Sequence, residues 1–293
     1  MTQAQIEFFT GFISGLLSLA ATTIVIAVAM YVEPSSNTRT NLVFCMMTAQ
    51  WLRAFTVVSG SIIRMNQDYV DFSAGIGCSL NGFFITQSLV AGDVANLCIG
   101  LFTWLAFAQK IKFAKLYDFL DRHYTSTFVF PWLVASLIAV IAAFQPGYVP
   151  VKSNWCFINP VDNNLYRWLF AWAHRILISM LLFALYGHIL FLVLQSRKVL
   201  QDSSAASQES SRRLNQAARK LFVYPLAYVI WGLPGILSRV VNSPTLNIIQ
   251  AGSQSIGLVD ALLYGYSEDL RRRLMDKLRP HTQYVKDLEQ FKQ

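Results

Sequence analysis

Seven apolar stretches, each long enough to cross a lipid bilayer, run through this chain and restrict the folds open to it. One helical crossing of the hydrocarbon core takes about 20 apolar residues. The predicted spans are residues 8–31, 41–63, 80–107, 128–144, 168–195, 221–241 and 245–266. We therefore predict an all-α fold, with a seven-transmembrane helix bundle over residues 1–266 and a short amphipathic helix and cytoplasmic tail over residues 267–293. Six spans is the alternative, because polar side chains interrupt the last stretch.

The placement of the basic residues predicts the orientation of the bundle. Only 14% of the residues are charged, against about 25% in an ordinary soluble domain. A net charge of +8 suggests nucleic acid, but most of the Lys and Arg residues fall in alternate loops and in the tail. Cytoplasmic loops of membrane proteins collect Lys and Arg in this way. The pattern therefore predicts a lipid bilayer and no nucleic acid as partner, with the N-terminus outside and the C-terminus in the cytoplasm.

Two of the four cysteines predict a disulfide on the outside. Cys78 lies at the start of the third span and Cys156 in the long loop before the fifth. Both would face an oxidising compartment, where disulfides persist, and a bond between them would hold the loop across the mouth of the bundle. Cys45 and Cys98 fall within spans as small apolar residues. No cluster has the spacing of metal ligands, and we expect neither a metal nor another cofactor.

Three ionisable residues lie deep inside the predicted spans, namely Arg53, Asp93 and Asp260. Such residues are rare in the bilayer and are usually functional. Because an unpaired buried charge is unfavourable, we expect Arg53 to pair with Asp93 or Asp260. The pair would either fix helix packing or act as a switch that rearranges on activation, and a proton or substrate pathway is a third alternative.

The sixth span predicts a kinked helix. Pro225 and Pro234 each interrupt the helical hydrogen-bond ladder, and Trp231 lies three residues before Pro234. The inner end of such a helix can swing, although Pro also produces static kinks in membrane helices. After the seventh span, the segment SEDLRRRLMDKL places leucines on one face and basic residues on the other. This pattern predicts an amphipathic helix along the inner membrane surface.

The sequence contains no GxSxG motif, no HExxH motif and no phosphate-binding glycine loop, so we do not expect an enzyme. The seventh span also has no Lys, which argues against a retinal-binding photoreceptor.

Short blocks in a fixed order carry a resemblance to a known family: Cys78 with NGFF at 81–84, WCFI at 155–158, YPL at 224–226 with LPG at 233–235, and GLVDALLYG at 257–265. Together with the topology, they resemble G-protein-coupled receptors of the cyclic-AMP-receptor-like group, which includes the fungal glucose-sensing receptors. Three departures limit what is carried over. Asp260 stands where the family pattern has Asn, and the third span ends FTWLAFAQK without the Asp/Glu-Arg-Tyr of rhodopsin-like receptors. The third inside loop is also shorter than in yeast glucose receptors, so glucose sensing is not transferred.

The resemblance implies a plasma-membrane receptor that senses an extracellular small molecule, of the nutrient or cyclic nucleotide class, and activates a heterotrimeric G protein through its α subunit. The ligand would contact Phe84, Gln87, Asp93, Trp155, Phe157 and Arg175. A polar switch network would contain Arg53, Asp93, Trp231, Pro234, Asp260 and Tyr264. The G-protein α subunit would contact Lys110, Lys112, Arg212, Arg213, Arg219 and Lys220. The alternative is a small-molecule or ion transporter that uses the buried charges Arg53, Asp93 and Asp260. The sequence leaves open whether the protein is a monomer or a homodimer.

Overall fold

The computed structural model describes residues 2–32, 38–66, 75–108, 122–145, 147–150, 155–159, 165–201, 227–228, 230–232, 237, 244–267, 274–275 and 277, which are nearly all helical. Four helices are uninterrupted: α1 (Gln3–Val32), α2 (Thr38–Asn66), α3 (Ile76–Ala108) and α4 (Tyr124–Phe144). The helical run α5 consists of Leu165–Arg167, a π-helical stretch Trp168–Ala173 and His174–Gln201. The run α6 consists of Pro244–Gly252, a 3₁₀ turn Ser253–Ser255 and Ile256–Ser267.

Five of these helices are long and apolar enough to cross a membrane, over Gln5–Val32, Thr40–Met65, Ile76–Leu105, Thr125–Phe144 and Leu165–Gln195. They coincide with the first five predicted spans. The seventh predicted span corresponds to α6, which the 3₁₀ turn interrupts where the sequence is most polar. Only a few residues of the sixth predicted span are described, and they are helical, while Pro225 and Pro234 lie outside the described residues. The count of seven spans therefore stays a prediction.

Most of the predicted tail helix also lies outside the described residues. Lys277 is described, and its ammonium group donates a hydrogen bond to the backbone carbonyl of Tyr31 in the last turn of α1. The same group lies 4.7 Å from the centre of the Tyr31 ring, within the range of a cation–π contact. Lys277 of the tail therefore lies close to the last turn of α1.

The helices differ in how far they are exposed. Two thirds of the most apolar window in each of α2 and α3 is buried, against about a quarter in α1, α4 and α5. The exposed side chains of these outer helices are large and apolar, as at Ile13, Leu133 and Phe183. Apolar surface on this scale marks contact with a membrane or another protein, and here it fits a bundle surrounded by lipid.

A β-hairpin covers one end of the bundle. Strand β1 (Tyr148–Pro150) pairs antiparallel with β2 (Cys156–Ile158), with Tyr148 opposite Ile158. Gly147 has a φ of +82°, which glycine adopts without strain, and its N–H donates to the Ala142 carbonyl at 2.9 Å. This turn ends α4 and sends the chain into β1. We call this end of the bundle the hairpin end.

A disulfide between Cys78 and Cys156 ties β2 to the first turns of α3, with 5.4 Å between the two Cα atoms. The predicted disulfide is thereby confirmed. Cys45 and Cys98 are free.

Apolar clusters fill both ends of the bundle. The cluster at the hairpin end includes Tyr148, Trp155, Phe157 and Trp172. A second cluster, near the opposite end, joins α2, α3 and α6 through residues such as Met46, Phe102 and Tyr264. The buried charged residues lie between these two clusters along the helices.

Candidate functional site

The middle of the bundle contains a set of buried polar side chains that we call the central polar network. Its members come from α2, α3, α5 and α6, and each is less than a tenth exposed: Gln50, Arg53, Asp93, Arg175, Gln254 and Asp260. Charges at such a depth persist when they are paired and hydrogen-bonded, so the contacts of each member decide what the network does.

Asp93 on α3 is the centre of one group of contacts in the network. Its two carboxylate oxygens accept hydrogen bonds from Nε and Nη2 of Arg175 on α5, each at 3.2 Å. A bidentate pair of this kind is stronger and more directional than a single hydrogen bond. Nε2 of His174 lies 3.3 Å from Oδ2 of the same carboxylate. One carboxylate on α3 thus faces two neighbouring side chains of α5.

The local structure of α5 bears on this arrangement. The π-helical stretch Trp168–Ala173 ends immediately before His174. A π-helical turn widens the helix and changes the direction of the side chains that follow, and such turns are frequent at functional sites. The guanidinium of Arg175 also lies 5.8 Å from the centre of the Tyr228 ring. This cation–π contact connects the pair to a described residue of the sixth predicted span.

Gln254 is the centre of a second group of contacts in the network. Its side-chain oxygen accepts a hydrogen bond from Nε of Arg53 at 3.0 Å, and its backbone carbonyl accepts one from the Ser18 hydroxyl on α1 at 2.6 Å. Gln254 lies in the 3₁₀ turn of α6, where polar side chains interrupt the seventh predicted span. Next to it, Trp231 donates from Nε1 to the Ser255 hydroxyl at 3.1 Å. The turn therefore receives contacts from α1, α2 and the sixth predicted span.

The prediction that Arg53 pairs with Asp93 or Asp260 is wrong. Asp93 pairs with Arg175, Arg53 binds the amide of Gln254, and Asp260 accepts a hydrogen bond from Nε2 of Gln50 at 3.2 Å. Counting residues along a span gives the depth of a side chain but not its direction around the helix. Arg53, Asp93 and Asp260 lie at similar depths, but their side chains point in different directions and therefore contact different partners.

Asn81 and Gly82 hold the hairpin on α3. The side-chain oxygen of Asn81 accepts a hydrogen bond from the Cys156 N–H at 2.9 Å, and its nitrogen donates to the Thr56 carbonyl at 3.1 Å. A Cβ atom at position 82 would lie 2.5 Å from the Tyr148 ring, so the close approach of β1 to α3 requires glycine.

The hydroxyl of Tyr148 donates to the Ala139 carbonyl at 3.0 Å. Burial raises the pKa of Tyr148 to about 12, so this hydroxyl is a neutral donor at physiological pH. Together, the disulfide, Asn81 and Tyr148 attach the hairpin to both α3 and α4.

The predicted ligand-binding residues fall into separate environments. Asp93 and Arg175 meet in the central polar network, and Trp155 and Phe157 are buried in the cluster at the hairpin end. Gln87 donates to the Ser136 hydroxyl on α4 at 2.7 Å and therefore points to α4.

Phe84, which was also predicted to bind the ligand, is 39% exposed. It makes an edge contact with the ring of the neighbouring Phe83.

Of the predicted switch residues, Arg53, Asp93 and Asp260 belong to the network, and Trp231 donates to Ser255, the residue after the network member Gln254. Tyr264 packs instead in the apolar cluster near the opposite end. The remaining predicted site residues lie outside the described residues: Pro234, Lys110, Lys112, Arg212, Arg213, Arg219 and Lys220.

Five residues of the site were not predicted from the sequence, namely Gln50, Gln254, His174, Asn81 and Gly82. An amide at membrane depth needs a polar partner for the same reason as a charge, so Gln50 and Gln254 could have been identified from their positions within apolar spans. Asn81 and Gly82 stood in the family block without a function. Among the described residues, no group of three or more His, Cys, Asp or Glu side chains is placed to hold a metal ion.

In the described part of the chain, five helices of membrane-spanning length, a buried ion pair and a disulfide-bonded hairpin over one end define a polytopic membrane protein. Residues 5–200 match the profile of the family described as Git3, G protein-coupled glucose receptor regulating Gpa2. The match covers more than half of the chain, and the chain belongs to this family of G-protein-coupled receptors, which are receptors and not enzymes. This confirms the resemblance to fungal glucose-receptor-like proteins. No curated protein matches the chain significantly.

Proposed function

We propose that this protein is a plasma-membrane receptor, with its N-terminus outside and its C-terminus in the cytoplasm, that binds an extracellular nutrient-type small molecule and activates a Gα subunit. The Asp93–Arg175 pair carries the proposal. It lies two helical turns below the hairpin-end cluster, since Asp93 is eight residues, or about 12 Å, along α3 from Ile85 of that cluster. A ligand that enters beneath the hairpin would therefore reach a polar site that joins α3 to α5.

The charge of the network favours an uncharged ligand. Two of its members are basic and two are acidic, and both guanidinium groups already have acceptors, with Arg175 on Asp93 and Arg53 on Gln254. A cyclic nucleotide phosphate would have to compete with Asp93 for Arg175. A neutral molecule rich in hydroxyl groups can donate to Asp93 and accept from Arg175 without leaving either charge unpaired. This supports a sugar, the ligand class in the description of the family.

Binding would act by shifting an equilibrium between two packings of the helices. A ligand shifts such an equilibrium only by its difference in affinity for the two states, and about 5.5 kcal/mol moves it from 1:99 to 99:1. Removing one partner of a buried pair changes stability by about 3–5 kcal/mol, which is a similar magnitude. A ligand that replaces part of the Asp93–Arg175 contact can therefore shift the equilibrium substantially.

The contacts of the network suggest how the shift reaches the G protein. Arg175 lies against Tyr228, and Trp231 is bonded to Ser255, so both α5 and α6 are connected to the sixth predicted span. Movement of that span at its inner end would expose a surface for the α subunit. In this proposal the basic residues Lys110, Lys112, Arg212, Arg213, Arg219 and Lys220 contact the α subunit.

Nucleotide exchange on a Gα subunit reconstituted with the full chain in nanodiscs tests the proposal. Exchange should accelerate on addition of a neutral hexose from a sugar panel and not on addition of cyclic AMP. Replacing Arg212, Arg213, Arg219 and Lys220 by Ala should abolish the acceleration, whereas the control Lys286→Ala/Lys292→Ala in the tail should retain it.

Failure of every sugar with several Gα classes would contradict the proposal. Uptake of a sugar into vesicles in the absence of Gα would support the transporter alternative instead.

A further inference from the structure

A cavity of about 400 Å³ lies between α2, α3 and α4 at the end of the bundle opposite the hairpin. Its volume falls within the roughly 300–1,000 Å³ typical of small-molecule sites. Cys98 and Phe102 of α3 line it together with Leu42 of α2, and no part of it belongs to the central polar network. A molecule bound in this cavity would therefore be distinct from the ligand proposed to bind at the central polar network.

The side of the cavity opens on the surface that faces the hydrocarbon. Leu101 on α3 and Phe130 on α4 line it and are 42% and 54% exposed. Both residues lie within helices of membrane-spanning character, Ile76–Leu105 and Thr125–Phe144. An opening at this position admits a hydrocarbon chain from the bilayer more readily than a solute from water.

The lining becomes polar toward the end of the helices. His123 and Ser126 line the cavity at the start of α4, which begins at Tyr124, and Arg122 beside them is exposed. The start of a long helix carries a partial positive charge, and Arg122 adds a full one. The lining therefore changes from apolar to polar along the cavity, and the exposed cation Arg122 adjoins its polar end in the chain.

We propose that this cavity binds an anionic membrane phospholipid, with an acyl chain between Phe102 and Phe130 and the headgroup at Ser126, His123 and Arg122. Anionic lipids are concentrated in the cytoplasmic leaflet, which is the leaflet at this end in the proposed orientation. Phe102 also packs in the cluster that contains Tyr264 of α6, so an occupied cavity would support that cluster. The site goes beyond the proposed signalling function, and its test does not require a G protein.

Photolabelling of the full chain in phosphatidylcholine vesicles tests the proposal. The probe is phosphatidylserine with a diazirine in one acyl chain, compared with the same probe carrying a phosphatidylcholine headgroup. Adducts from the serine probe should concentrate on Leu101, Phe102 and Phe130, with about tenfold less from the choline probe, equivalent to ~1.4 kcal/mol.

The variant Cys98→Phe, which fills the cavity, should lower the serine-probe adducts about tenfold, the same ~1.4 kcal/mol. The matched control Leu137→Phe adds the same ring at a lipid-facing position of α4 that is 63% exposed, and it should leave these adducts unchanged. Equal labelling by the two probes, or labelling of Leu133 and Leu137 as strong as that of the cavity, would overturn the proposal.

A second measurement does not depend on the folding of the filled variant. With Cys78 and Cys156 in a disulfide, the substitution Cys45→Ala leaves Cys98 as the only free thiol. In detergent, phosphatidylserine should slow the reaction of Cys98 with an apolar maleimide about tenfold, and soluble O-phosphoserine should not, because the acyl chain supplies most of the binding. An unchanged rate with the lipid, or equal protection by the soluble headgroup, would rule the lipid site out.

Discussion

Removing one partner of the Asp93–Arg175 pair is expected to destabilise the bundle more than removing both. The two side chains are 3% and 8% exposed and share two hydrogen bonds of 3.2 Å. A single substitution leaves a buried charge without its partner, which is unfavourable by about 3–5 kcal/mol. Replacing both partners by apolar side chains of similar size removes both charges, and such exchanges are often neutral or stabilising.

The two single substitutions should also differ from each other. In Arg175→Met, the Asp93 carboxylate keeps His174 at 3.3 Å, whereas in Asp93→Leu the guanidinium loses its carboxylate partner and keeps its contact with the Tyr228 ring. We therefore expect stability in the order wild type and double variant, then Arg175→Met, then Asp93→Leu.

In a Cys98→Ala background, unfolding of the full chain in nanodiscs can be followed by the reaction of the fully buried thiol of Cys45. The control Arg64→Met removes a cation from the end of α2, where the guanidinium lies 5.6 Å from the Phe8 ring. A contact of this kind at a partly exposed site contributes roughly 0.5–1 kcal/mol. This prediction fails if the loss of unfolding free energy in the double variant equals the sum of the losses in the two single variants. The contributions of Asp93 and Arg175 to stability would then be independent.

Three further predictions concern the hairpin end. The double variant Cys78→Ala/Cys156→Ala should lose about 3–5 kcal/mol of unfolding free energy, because the disulfide closes a long loop in the unfolded chain; equal stability of the reduced and oxidised protein in chemical denaturation would contradict this. Asn81→Leu should lose about 1–3 kcal/mol, since it leaves the buried Cys156 N–H without its acceptor, and faster hydrogen exchange of that amide would show it. Because burial raises the pKa of Tyr148 to about 12, from about 10 in the unfolded chain, its contribution to stability should be complete below pH 10 and fall as the pH rises toward 12. The Tyr148→Phe variant should lack this decline, and an identical alkaline loss in both proteins would assign it to another group.

The sequence predicted the spans of the first five helices because long apolar runs have one stable arrangement in a bilayer. It also predicted the disulfide, because topology placed Cys78 and Cys156 on the same side. The hairpin was not predicted. Each of its strands is three residues long, too short to show an alternating pattern, and its position depends on Asn81 and Gly82 of a different helix.

The depth of the central polar network in the bundle was predicted, but the hydrogen-bond partners of its residues were not. Buried Arg and Asp residues stand out in apolar spans, so Arg53, Asp93 and Asp260 could be identified. Their partners depend on the rotation of each helix and on the π-helical and 3₁₀ stretches before His174 and at Gln254. Those irregular turns have no clear signature in a single sequence, and they decide that Asp93 meets Arg175 and that Arg53 meets Gln254.

In the proposed function, the Asp93–Arg175 contact couples an outside ligand to a G protein. The most direct test compares ligand-free and sugar-stimulated nucleotide exchange by Gα with the wild type and with Asp93→Leu/Arg175→Met, the variant expected to fold. We predict that ligand-free exchange changes and that the sugar-dependent increment is lost. If the folded variant keeps both the ligand-free rate and the full response to the sugar, the contact does not carry the signal, which contradicts the proposed function.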